Sequence, residues 1–69
     1  PETDDELEFR KSEKRRIASL MTEKRKYIDE IDSIIKSTTD AQEKHFYQKQ
    51  KRVAEENIQD YITEYSTYE

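Results

Sequence analysis

Sixty-nine residues with no cysteine, no glycine and one histidine leave room for one small domain or a fragment of a larger chain, with neither a disulfide nor a Cys/His metal staple. Charged residues make up 43% and hydrophobic ones 30%, near the boundary where chains stay disordered, and the net charge of −4 argues against a general polyanion binder. No apolar run approaches the ~18 residues that span a bilayer, and the start, PETDDELEF, lacks the basic and apolar regions of a signal peptide. The missing initiator Met suggests an excised or processed segment, and the absence of cysteine suits an intracellular setting, cytoplasmic rather than nuclear. A domain this short draws only ~3–5 kcal/mol from its own core, so oligomerisation or a partner is expected to add to it.

In chain order, Thr3 followed by Glu6 reads as a capping box, with acidic side chains clustered in the first turn beyond it. A first helix is expected over about 4–36, with Pro1 and Glu2 frayed. Phe9 falls out of phase with the apolar stripe and reads as an exposed aromatic or an outside contact. Arg10, Lys11, Lys14, Arg15 and Arg16 form a basic arc beside that stripe. They suit either phosphate contact or, the favoured reading, pairing with acids on a facing helix.

The stretch Ile17–Ile35 organises the rest. Met21, Ile28 and Ile35 recur every seven residues, Ile17 and Ile31 share a row with Lys24 between them, and Leu20, Tyr27 and Ile34 form a third row. Three rows are too wide for a two-helix seam, which normally uses two. This helix wants more than one neighbour.

Ser37-Thr38-Thr39-Asp40 favour caps over helix interiors, so 37–40 reads as a turn. Either Thr39 with Gln42 or Asp40 with Glu43 boxes the start of a second helix over about 41–66. An unbroken helix of about 65 residues, ~95 Å long, is the alternative. The second helix carries a more aromatic face that includes Phe46, Tyr47, Val53, Ala54, Ile58, Tyr61, Ile62, Tyr65 and Tyr68. Tyr61, Tyr65 and Tyr68 serve equally well as an anchor patch or as cover for the stems of Arg10 and Lys14.

Folded back about 38–40, facing residues have numbers summing to about 80, so Ile35 meets Phe46 and Ile28 meets Val53. Charge blocks fit that register: Asp29, Glu30 and Asp32 oppose Lys49, Lys51 and Arg52; Lys24 to Lys26 oppose Glu55 and Glu56; Arg10 to Arg16 oppose Glu64 and Glu69. The same blocks would clash in a parallel in-register dimer. Lys24 and Asn57 meet mid-seam, the Lys24 ammonium reaching Glu56.

No catalytic, cofactor or metal site assembles. His45 is solitary, and neither Glu55-Glu56 nor Asp29-Glu30-Asp32 has calcium-loop spacing. The expectation is an all-α antiparallel two-helix hairpin, with a four-helix bundle open to it by dimerisation. Its expected task is non-enzymatic docking on another protein or on a second copy, through Leu20, Tyr27, Ile34, Phe46, Ile62, Tyr61 and Tyr65. In architecture such a hairpin is similar to the Rho-effector helical hairpins, a likeness that implies small-GTPase binding. A nucleic-acid or anionic-membrane binder using residues 10–16 is disfavoured, since acidic blocks flank that stretch. A spacer or oligomerisation segment of a longer coiled-coil protein is the third reading.

Overall fold

The computed structural model describes residues 2–69; Pro1, expected as a frayed end, lies outside them. Helix α1 runs Asp4–Ser37 and α2 runs Ala41–Ser66, folded into an antiparallel hairpin about 58 Å long. That length matches the rise of α1 alone and excludes the single continuous rod.

The helices start where their side chains can hold the first free N–H groups. Thr3 Oγ1 accepts from the Glu6 N–H at 3.2 Å, and three acids fill the following turn, where the helix dipole favours them. Of the two caps open to α2, Asp40 takes the role. Its Oδ1 accepts from the Gln42 N–H at 2.9 Å and the Glu43 N–H at 3.3 Å. Between the helices, the Thr38 N–H still reaches Ile34 O at 2.9 Å while the Asp40 N–H donates to Thr38 Oγ1 at 3.2 Å. Those bonds make a tight reversal with no positive φ among the described residues, so glycine is not required. On the solvent side, Thr22, Ser33 and Ser37 hydroxyls donate to the carbonyl one turn back. This satisfies small polar residues inside a long helix.

The core is thin. Ile17, Ile31 and Ala54 are the buried hydrophobic residues, flanked by half-buried Met21, Ile28, Ile35, Tyr47, Ile58 and Tyr61. The inward row of α2 is therefore Tyr47, Ala54, Tyr61 and Tyr68. It is not the row of Phe46 and Val53 that the sequence set opposite Ile35 and Ile28, since those two are about half exposed. The cause lies seven residues further on. Turning Val53 inward would carry Asp60 into the seam and strip its carboxylate of water. The row chosen carries no charge, and Ala54 gives room for the Lys24 stem.

The register is the expected one. Arg16 bridges to Glu64 at 2.8 Å and Lys51 to Asp32 at 2.7 Å, one pair near each end. Among the described residues the middle block, Lys24 to Lys26 against Glu55 and Glu56, closes no ion pair. Lys24 Nζ sits 6.0 Å from the Tyr27 ring centroid, not on Glu56. Phe9 is 58% exposed, as its place off the stripe predicts, and its edge-on contact with Tyr68, 6.1 Å between centroids, spans the open end of the hairpin.

Candidate docking face

Two long helices packed side by side leave two lateral faces, and heptad spacing assigns residues to each. On α1, Leu20, Tyr27 and Ile34 flank the seam on one side; Met21, Ile28 and Ile35 flank it on the other. On α2, Phe46 and Val53 lie eight and one residues before Ala54, on the side of Leu20 and Tyr27. Ile62 lies eight after Ala54 and turns the opposite way.

Between the helices, the first face opens into a shallow groove of about 300 Å³. Its α1 wall is Leu20, Glu23 and Tyr27, and its α2 wall is Val53 and Tyr61. Lys24, Gln50 and Asn57 form a polar floor, so the Lys24–Asn57 layer expected mid-seam sits at the bottom of this groove. Phe46 packs edge-on against Tyr47 at 5.2 Å between centroids and extends the apolar rim toward the turn. Tyr27, Phe46 and Val53 are 40%, 54% and 51% exposed.

The seven residues singled out from the sequence thus do not share a face. Leu20, Tyr27, Ile34 and Phe46 flank the seam on one side, and Tyr61 reaches the groove from the α2 seam row. Ile62 and Tyr65 turn to the other side, where Lys14 Nζ covers the Tyr65 ring at 5.7 Å. Val53 was assigned to the seam and missed as a rim residue. The Asp60 one heptad on is the signal that marks its row as outward.

The basic stretch is largely occupied within the hairpin. Arg10 pairs with Glu2 at 2.6 Å, Lys11 approaches Glu8 at 3.9 Å, and Arg16 donates to both Glu13 and Glu64. Hydrogen bonds from Arg16 to those two carboxylates, Glu13 first, raise its pKa further. His45 is exposed on α2, and no group of three metal-capable side chains occurs among the described residues. Among the described residues, no helix is long and apolar enough to cross a membrane. Comparison with protein-family models, with curated proteins and with solved structures finds no match for the chain.

Proposed function

We propose that the hairpin is a non-enzymatic protein-interaction module whose docking face is the groove rimmed by Leu20, Tyr27 and Val53, with Phe46 and Ile34 beside it. The observation that carries this is the exposure of Tyr27, Phe46 and Val53 together on one side, while a row free of charge is turned inward. Surface area supports the same reading. A compact monomer of 8.4 kDa exposes about 4,600 Å², whereas this chain exposes 5,479 Å². The excess is close to the ~800 Å² that each partner contributes to an interface of ordinary size. Aromatic side chains with one wet edge suit that use, since they bury large area at little rotamer cost.

Phosphate binding through residues 10–16 has less support, because Arg10, Lys11 and Arg16 already face carboxylates. A photo-crosslinker placed at position 53, and separately at solvent-facing position 59, tests the docking reading. A discrete protein adduct from 53, absent from 59 and competed by unmodified chain but not by Tyr27→Glu/Val53→Glu, supports it. Adducts that do not depend on position, or none, overturn it.

A further inference from the structure

The two lateral faces differ in charge as well as in apolar exposure. Glu23 lines the groove itself, and Glu30 stands one heptad further along the same row of α1. On α2, Asp60 continues the row of Phe46 and Val53, and Glu43 stands one heptad before Gln50. All four of these carboxylates are exposed, and none of them belongs to an ion pair among the described residues. Of the cations on this side, Lys49 is exposed between Phe46 and Val53 and is outnumbered by the four acids, and Arg16 is consumed by Glu13 and Glu64. Lys24 lies in the floor with its ammonium over Tyr27. The opposite face is mixed in sign: Asp32 is bonded to Lys51, Glu55 stands one turn from Lys51 on α2, and Lys14 covers Tyr65.

An apolar strip edged by unpaired acids repels a second copy of itself, because the same carboxylates would face one another across a two-fold axis. It complements a strip edged by cations. We propose that the occupant of this face is a basic amphipathic helix of another protein, its apolar side lying in the groove and its Lys and Arg residues reaching the four carboxylates. The groove lies between two helix walls, with Leu20 and Tyr27 on one and Val53 and Tyr61 on the other, and this favours a helix, which presents apolar residues at i, i+3, i+4 and i+7 along one side. This rests on the docking reading above and adds the chemistry of the partner to it.

The test uses ¹⁵N-labelled hairpin and three synthetic peptides of about 18 residues, five helical turns. One is an amphipathic Leu/Lys helix, one its Leu/Glu counterpart, and one a scrambled Leu/Lys sequence with no apolar side. The expected result is that only the first moves amide resonances around Leu20, Tyr27 and Val53, leaving those around Lys11 in place. Glu23→Lys/Asp60→Lys should weaken that binding by roughly tenfold, while Glu8→Lys/Asp29→Lys, equal in charge change but facing solvent, leaves it within about twofold. Circular dichroism confirms that both variants stay helical.

Equal response to the Leu/Glu peptide overturns the charge assignment and leaves docking standing. Equal response to the scrambled peptide, or equal weakening by both variants, overturns the proposal as unspecific attraction. Concentration-dependent shifts of the same groove resonances without peptide, with a dimer in sedimentation equilibrium, make a second copy the occupant and overturn it too. Silence toward all three peptides overturns the basic-helix proposal; crosslinking from position 53 then decides separately whether the face docks anything.

Discussion

Lys51 Nζ lies 2.7 Å from Asp32 Oδ1, and this contact ties α2 to α1 near the turn as Arg16–Glu64 ties them near the open end. The hydrogen bond to the Asp32 carboxylate raises the Lys51 pKa above its ordinary 10.5. A raised pKa gives stability that is fully present below the unfolded-state value and is lost as pH climbs through the folded-state value. Wild-type protein should therefore lose its advantage over Lys51→Met as pH rises from about 10.5, the ordinary lysine value, upward. Urea melts of both proteins across that range check this. The difference cancels tyrosine ionisation common to the two, and curves that stay parallel would count against the pair.

Ile31 and Val53 are both apolar, but only Ile31 is buried. Ile31→Ala removes packed atoms and leaves a cavity, at a cost of about 2–5 kcal/mol. That is comparable to the ~3–5 kcal/mol a core of this size supplies, so helical circular dichroism should largely collapse in dilute solution. Val53→Ala should cost under about 0.5 kcal/mol, the range of surface substitutions. Equal losses would place Val53 in the seam after all.

Asp40 closes the start of α2 through two backbone N–H groups. Asp40→Ala should destabilise by about 1 kcal/mol, and Thr39→Ala, one residue earlier, by much less. Chemical denaturation of the two variants separates the caps that the sequence left open between Thr39 and Asp40.

Duplex DNA should not bind measurably even at low salt, although residues 10–16 hold five basic groups. Arg10, Lys11 and Arg16 hold carboxylates of the same molecule, and the net charge of −4 repels the phosphates. Anisotropy of a labelled duplex titrated with the protein reads this directly, and binding that weakens steeply with added salt would restore the phosphate-contact reading.

The hairpin was legible in the sequence because its signals agree. The α1 stripe, the cap-forming Thr38–Asp40 turn and the sign-matched blocks all specify one antiparallel register, and Arg16–Glu64 and Asp32–Lys51 realise it. Rotation of α2 about its axis was less legible. Val53 and Phe46 are the more obvious core formers, but their row includes Asp60, whose short side chain cannot carry its charge from the seam to water as the long Lys24 stem does. Tyr47, Ala54, Tyr61 and Tyr68 make a charge-free row, and that outweighs the intrinsic preference of any one member. Phe9 is exposed, as its phase implies, but its contact with Tyr68 was not legible. Its row on α1 is outward, yet at the end of the hairpin the Tyr68 ring reaches across to it. Such an end contact has no periodic signature.

The docking face depends on α1 and α2 of one molecule forming the groove together. Spin labels at positions 25 and 56, in a sample diluted with excess unlabelled chain, measure this most directly by pulsed dipolar spectroscopy. Helix axes 8–10 Å apart, plus the label arms, give a distance centred near about 20–25 Å that does not weaken on dilution. A distance near 46 Å, the rise of one continuous helix over that span, would contradict it. So would a short distance that vanishes as unlabelled chain is added, because the groove would then lie between molecules.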